Sequence, residues 1–241
     1  MEFNRSMDLV NPYKIKNNFL VIGCGAVGGE VASQLVNLGV ANECNDSRLE
    51  LYDGDSVKEH NLPNQPYFQK SIGSNKANAL FDILKSKGDS ITSVSAFPYN
   101  LDKEKVDVKE NTVCFLLTDS MESRKEIFER VIKNNLNLDL MIETRMGLRH
   151  GMVYAIDPKS LNEIKLWEDT LFSDEEDGDV TACGTSRTCG TTAKLISTLA
   201  VGMWVEYQEA GNLKYNEIQI LEQYPPRFYF ASFKSRENVV F

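Results

Sequence analysis

The sequence predicts an α/β protein with a Rossmann-like, doubly wound, mainly parallel sheet, followed by a crossover loop, a long C-terminal helix and further strands. Three observations lead to this fold class. Apolar segments of strand length alternate with segments whose apolar residues recur at helical spacing. A glycine-rich turn at 23–28 ends the first strand and opens a helix. The apolar run at 112–118 is typical of a strand buried on both faces.

The first half of the chain predicts a β-α-β-α-β order. Residues 19–23 form a short apolar run that ends in glycine, and residues 27–38 then carry apolar side chains three or four positions apart. A second strand is predicted at 48–53. Ser74 opens a predicted helix over 74–85, because serine is a favoured residue before the first helical turn. Alternating apolar residues at 91–97 predict a third strand.

The second half continues the alternation and then changes character. After the strand at 112–118, helical spacing returns before the next apolar segment. Beyond Gly147 the chain has a short strand, a polar stretch and one long helix that Gly211 terminates. The predicted elements are a helix at 120–133, strands at 139–143 and 151–156, a helix at 191–209, and strands at 215–221 and 227–233.

The chain of 241 residues is predicted to form one domain. Residues 1–18 are an N-terminal arm, 19–147 a nucleotide-binding core, and 148–241 a crossover loop, a long helix and C-terminal strands. The stretch at 173–179 is acidic and contains no apolar residue, so we expect a solvated loop there.

Composition excludes several partners. Lys and Arg total 26 against 35 Asp and Glu, which gives a net charge of −9. A chain with this charge has no overall basic field for nucleic acid or an anionic membrane surface. Its apolar runs are much shorter than the roughly 18 residues needed to cross a bilayer. The first residues lack the apolar core of a secretory signal, so the protein is predicted to be cytoplasmic.

The cysteines predict reduced thiols and no structural zinc. There are five of them, an odd number, and they are widely spaced without a C-x-x-C pair. That spacing suits neither a disulfide framework nor a zinc site. They are Cys24, Cys44, Cys114, Cys183 and Cys189.

The glycine-rich turn predicts a phosphate-binding loop. Gly23, Gly25 and Gly28 stand directly after a strand and at the start of a helix, where glycine permits a tight turn and backbone approach to phosphate. Asp53 follows the second strand, 25 residues beyond Gly28, where an acid can accept hydrogen bonds from ribose hydroxyls. Alone, this motif leaves NAD, FAD, S-adenosylmethionine and ATP open, as well as a purely structural strand-helix corner.

Further motifs narrow the choice among these ligands. Residues 53–65 contain the run D-x-D-x-V-x-x-x-N-L-x-x-Q, and 72–77 contain I-G-x-x-K-A. The sequence Leu-Thr-Asp-Ser at 117–120 is followed by Arg124, and Cys183 precedes the last long helix. In this order the motifs resemble the ThiF family, which belongs with the ubiquitin-activating enzymes and the bacterial adenylyltransferases that activate small sulfur carriers.

The resemblance covers residues 5–211 and implies an ATP-dependent adenylyltransferase that uses magnesium. Such an enzyme holds the α-phosphate in line with an attacking carboxylate and neutralises the triphosphate. By the resemblance, Asp53 holds the ribose, and Asn61 and Lys76 contact the phosphates. Asp119 binds magnesium, and Asp55 lies beside this set. The implied substrate is the C-terminal glycine of a small ubiquitin-like or sulfur-carrier protein.

The resemblance also implies two residues outside the core and contains one departure. Arg5 matches an arginine that reaches the partner's ATP site in a homodimer, and Cys183, with Cys189 as competitor, matches the cysteine of sulfur-handling relatives. Many members have arginine where Asn64 stands, so this nucleotide-binding position lacks a cation. Arg145 at the end of the fifth strand, or Arg5 of a partner subunit, is the expected replacement. The implied catalytic residues are Arg5, Asn61, Lys76, Asp119 and Cys183.

The same residues also have purely structural interpretations. Lys76 alone is compatible with a solvated residue in a first helical turn, Asp119 with a helix cap, and both cysteines with packing. Two other functions also remain. One is a nucleotide-binding scaffold with weakened catalysis, motivated by Asn64. The other is an NAD-dependent oxidoreductase, which lacks a convincing His–acid pair or Tyr-x-x-x-Lys element for proton transfer.

Overall fold

A single continuous sheet organises the protein, and the strands beside its centre bring the predicted motifs together. The computed structural model describes residues 11–101, 106–172, 190–223, 226–233 and 238–240. Their helices and strands are β1 (Asn18–Ile22), α1 (Ala26–Asn37), β2 (Leu49–Tyr52), α2 (Lys76–Lys85), β3 (Val94–Phe97), β4 (Thr112–Leu116), α3 (Met121–Ile127), β5 (Leu138–Met146), β6 (Gly151–Ile156), α4 (Leu161–Glu168), α5 (Gly190–Ala210), β7 (Glu217–Gln223), β8 (Pro226–Ala231) and β9 (Asn238–Val240).

The strand order is β3-β2-β1-β4-β5-β6-β7-β8-β9. The strands from β3 to β5 pair in parallel, whereas β5 to β9 pair as successive antiparallel neighbours. The chain moves outward from β1 toward β3 and then returns to the other side of β1 with β4. Such a reversal opens a crevice at the carboxyl ends of the strands, where α/β proteins bind ligands.

Helices cover both faces of the sheet. On one face α1, α2 and α5 contribute to a large apolar core, in which the Phe19 and Trp204 rings meet edge to face with centroids 5.0 Å apart. On the opposite face α3 and α4 pack in a second core, where the Phe128 and Trp167 centroids lie 4.3 Å apart. All five residues of β4 are buried, as a strand covered on both faces requires. The predicted fold class is confirmed.

Several element boundaries differ from the predictions. The strand predicted at 139–143 continues through Met146, because its last residues pair with β6. The helix predicted to open at Ser74 is capped instead by Asn75, whose side chain accepts a hydrogen bond from Asn78 N. Neither α4 nor β9 was predicted. Helix α4 has eight residues with Ile164 and Trp167 buried, too short a segment for helical spacing to stand out.

The acidic stretch at 173–179 lies outside the described residues. No helix of the described part is long and apolar enough to cross a membrane.

Candidate active site

A cavity of about 440 Å³ opens at the carboxyl ends of β1, β2, β4 and β5. Its walls come from the glycine-rich turn, the segment after β2, the start of α2 and the segments after β4 and β5. Segments far apart in sequence meet here because parallel strands end at the same edge of the sheet. The sequence-predicted residues on its wall are Gly23, Gly25, Asp53, Asp55, Asn61, Lys76, Asp119 and Arg145.

The three glycines of the turn differ in backbone conformation and in the space that a side chain would have. Gly23 has a φ of +95°, and a Cβ there would lie 2.7 Å from Leu117 O. A Cβ on Gly28 would lie 1.8 Å from Gly23 O, so α1 packs on the turn only without a side chain. A Cβ on Gly25 would meet no atom within 4 Å. Gly25 also precedes α1 without a side-chain cap, which leaves the helix N-terminus facing the cavity.

Asp53 fixes the turn against the segment after β2. Its Oδ2 accepts a hydrogen bond from Cys24 N at 2.7 Å, and its Oδ1 accepts one from Asp55 N at 2.8 Å. Burial raises the pKa of Asp53, and the charge of Lys76 and these two backbone hydrogen bonds oppose that rise only in part. Asp53 is therefore a partly desolvated carboxylate at the wall of the cavity.

Lys76 is the first residue of α2 and is tied to the same segment. Asn75 Nδ2 donates to the carbonyls of Asp53 and Asp55 at 2.7 and 3.0 Å, and Lys76 N donates to Asp55 O at 2.8 Å. Lys76 Nζ lies 2.8 Å from Asp55 Oδ2, with the lysine side chain 12% exposed and the aspartate 68% exposed. Burial lowers the pKa of Lys76, but the Asp55 hydrogen bond and the charges of Asp53, Asp55 and Asp119 outweigh it, so the pKa is raised. Lys76 therefore stays protonated.

Tyr67 joins the two halves of this wall. Its buried hydroxyl lies within hydrogen-bonding distance of Cys24 O and, at 3.1 Å, of Lys76 O. Burial and the negative charge of Asp53 raise its pKa, so the phenol remains a donor. Tyr67 thus holds the glycine-rich turn at a fixed distance from the start of α2.

The turn around Asn61 presents side-chain amides to the cavity. Asn61 is buried, and its Oδ1 accepts a hydrogen bond from Lys58 N at 2.8 Å. Gln65 is 8% exposed, and its buried Oε1 has no hydrogen-bond partner in the described part of the protein. An unpartnered buried acceptor at a cavity wall fits a site whose ligand supplies the missing donor. Asn64 is half-buried on this turn and does not line the cavity.

The end of β4 carries the predicted magnesium residue. Asp119 is exposed in the cavity, and the buried Oγ1 of the adjacent Thr118 has no partner among the described residues. Arg124 Nη2 donates to Thr118 O and, at 3.1 Å, to Thr144 O, which fixes the ends of β4 and β5 together. Carboxylate and hydroxyl oxygens suit Mg²⁺, which proteins hold through one or two carboxylates together with substrate phosphates. The donor set at Asp119 therefore fits the predicted ion.

Beyond this single carboxylate, the described chain has no group of three His, Cys, Asp or Glu residues placed to hold a metal ion.

Beneath the cavity lies a buried ionic network around Glu143, which is 0% exposed. Arg124 Nε lies 2.8 Å from Glu143 Oε1, Arg145 Nε lies 3.1 Å from both carboxylate oxygens, and Trp167 Nε1 donates to Oε2 at 3.1 Å. Arg145 also donates to the carbonyl and hydroxyl oxygens of Thr170 at 2.7 and 2.9 Å. Arg145 lines the cavity as predicted, while much of its guanidinium is engaged within the protein.

The structure thus gathers most of the predicted site at the cavity, with five exceptions. Arg5 and Cys183 lie outside the described residues, as does Cys189. Gly28 packs against Gly23 O within the glycine-rich turn, and Asn64 lies on the turn around Asn61. Neither residue lines the cavity.

Sequence reasoning gave no role to several residues of the site. Gln65 and Thr118 stand inside the quoted motifs, so their spacing was available as a signal. Glu143 had a weaker signal, a charged residue directly after the apolar run at 140–142. Tyr67 and Trp167 carried none, because a buried aromatic residue in a sequence most often indicates core packing.

The sequence matches the model of the ThiF family over residues 13–231 of its 241 residues. The chain therefore belongs to the ThiF family, as its spaced motifs predicted. A comparison with curated proteins found no match.

Solved structures with the same fold include PaaA and E. coli MccB. PaaA is 15% identical with a TM-score of 0.60, and the match covers 94% of this chain and 64% of PaaA. MccB solved with ATP is 15% identical with a TM-score of 0.61, covering 97% of this chain and 65% of MccB. MccB with AMPCPP and MccA is 15% identical with a TM-score of 0.62, covering 94% and 66%. This chain thus spans about two thirds of the length of these proteins.

Proposed function

We propose that this protein is an ATP-dependent adenylyltransferase that activates a carboxylate. The observation that carries the proposal is the convergence of Gly25, Asp53, Lys76 and Asp119, from four separate segments, on one cavity at the carboxyl ends of the strands. Membership of the ThiF family and the fold shared with MccB, which has been solved with ATP, support the same conclusion.

The geometry suggests how the nucleotide is held. The open space at Gly25 and the uncapped start of α1 suit a phosphate group. Asp53, already fixed by two backbone N–H groups, is placed to accept hydrogen bonds from ribose hydroxyls. Lys76 stays protonated because acidic neighbours raise its pKa, and with Asn61 it contacts the phosphates.

In the proposed reaction a carboxylate oxygen attacks the α-phosphorus of ATP. The new bond is an acyl–AMP anhydride bond, the bond from the α-phosphorus to the bridging oxygen breaks, and pyrophosphate leaves with the electron pair. Lys76 and Asn61 stabilise the charge on the reacting phosphates. Asp119, beside Thr118, would hold magnesium, which would supply charge neutralisation for the triphosphate.

The proposed substrate is the C-terminal glycine of a small ubiquitin-like or sulfur-carrier protein. MccB has been solved together with MccA, which supports a partner molecule for this chain as well. The homodimer with Arg5 at the partner's site, the reactive Cys183 and a cytoplasmic location remain predictions of the same proposal.

The proposal is tested by carrier-dependent exchange of labelled pyrophosphate into ATP. Each small carrier protein from the same genome is supplied in turn to the natural protein, to Asp119→Ala and to the control Asp107→Ala, whose side chain is 86% exposed and lies outside the cavity. We expect exchange with one carrier, strongly reduced in Asp119→Ala and retained in Asp107→Ala. Absence of exchange with every carrier would contradict a protein substrate, and ATP binding without exchange would favour the scaffold alternative.

A further inference from the structure

Most of the cations that line the cavity already contact a carboxylate of the protein. Four lysine and arginine residues line it. Lys76 forms an ion pair with Asp55, and Arg124 and Arg145 share the single carboxylate of Glu143. A cation that is already paired contributes less attraction for an incoming anion, because its field is partly cancelled by its partner.

Lys58 is the exception. Its side chain is exposed and lines the cavity, and no carboxylate of the described residues lies within ion-pair distance of its ammonium group. Its backbone is nonetheless fixed, because Lys58 N donates to the buried Asn61 Oδ1 at 2.8 Å. The residue therefore presents an exposed cation from an anchored backbone position at the start of the turn that carries Asn61 and Gln65.

The sum of nearby charges shows why this cation matters. The lining cations are Lys58, Lys76, Arg124 and Arg145, and the acids are Asp53, Asp55, Asp119 and the underlying Glu143. Four positive charges against four negative ones give zero with Lys58 and −1 without it. Without Lys58, a negatively charged polyphosphate would enter a cavity whose net charge is also negative. This is unfavourable in a crevice with low-dielectric walls.

We infer that Lys58 binds the β- and γ-phosphates of the nucleotide and stabilises the departing pyrophosphate. The inference rests on the proposed function. Lys76 is tied to Asp55 and lies near Asp53, the residue proposed to hold the ribose, so it is expected to contact the α-phosphate, which is bonded to that ribose. Lys58 is exposed on a different segment, and its side chain lines the same cavity, so it is available to the phosphates beyond the α-phosphate. Its three donors make charge-assisted hydrogen bonds to phosphate oxygens.

The test is isothermal titration of the protein with magnesium–ATP and, separately, with AMP. Lys58→Gln removes the charge from an exposed side chain, so the fold is preserved, and Lys58→Arg retains the charge. Lys70→Gln is the matched control, because Lys70 is an exposed lysine of the following segment that does not line the cavity.

We expect Lys58→Gln to weaken magnesium–ATP binding by about tenfold, the scale of a partly exposed charged hydrogen bond, and to leave AMP binding unchanged. Lys58→Arg and Lys70→Gln should bind magnesium–ATP as the natural protein does. Unchanged ATP binding by Lys58→Gln, or an equal loss for ATP and AMP, would overturn the role of Lys58 while the proposed function stands. Failure of the natural protein to bind ATP would overturn both.

Discussion

Replacing Glu143 by alanine tests the buried network that supports the cavity. Glu143 is fully buried, its carboxylate lies 2.8 Å from Arg124 Nε and 3.1 Å from Arg145 Nε, and it accepts a hydrogen bond from Trp167 Nε1. Its removal leaves two guanidinium groups and an indole N–H without this acceptor. Breaking a buried ion pair from one side costs about 3–5 kcal/mol. For a protein of this size that loss lowers the melting temperature by about 6–20 °C.

The assay is urea unfolding followed by tryptophan fluorescence, with thermal unfolding by circular dichroism as a second probe. Glu129→Gln is the control, because Glu129 is 56% exposed and pairs with Lys133 on the surface. Surface pairs contribute about 1 kcal/mol or less, so this variant should unfold close to the natural protein. Equal stability of Glu143→Ala and Glu129→Gln would refute the argument that Glu143 holds the two arginines in place.

Two other variants follow from the geometry of the site. Gly28→Ala should destabilise the protein by about 3 kcal/mol in urea unfolding, because the new Cβ meets Gly23 O at 1.8 Å. Gly25→Ala should keep its stability and lose ATP affinity, since its Cβ enters open cavity space; the reverse pattern would contradict the assigned roles. Lys76→Met removes the ion pair with Asp55. In the natural protein the pKa of Lys76 is raised above its ordinary value of 10.5. The pair therefore stabilises the fold fully at pH values below 10.5, and this stabilisation is lost as the pH rises through the raised pKa. The stability difference from the natural protein should be constant at neutral pH and shrink at alkaline pH, and a difference that grows with pH would be inconsistent with this pair.

Much of the fold was predictable because its signals are local. The run at 112–118 is apolar because β4 is buried on both faces, and the spacing of Gly23 and Gly28 reflects contacts within one turn. The residues that follow β2 and β4 lie near each other because parallel strands share an edge, so their motifs could be assigned to one site before the structure was known.

The remaining features depend on contacts that the sequence does not display. Trp167 lies on a helix of eight residues, and only the tertiary structure places it against Glu143. Tyr67 links two segments through backbone carbonyls, which leave no trace in side-chain spacing. Lys58 stands within a recognised motif, yet the role proposed for it emerges only when the other lining cations are found in contact with carboxylates.

The most direct test of the account is the thermal stability of the natural protein and of Asp119→Ala with magnesium–ATP or with NAD. A ligand that binds only the folded state at a concentration 100 times its Kd stabilises it by about 2.7 kcal/mol, which raises the melting temperature by about 5–10 °C. We expect this rise with magnesium–ATP, a smaller rise in Asp119→Ala and none with NAD. Stabilisation by NAD alone would contradict the assignment of the cavity to ATP and return the protein to the oxidoreductase alternative.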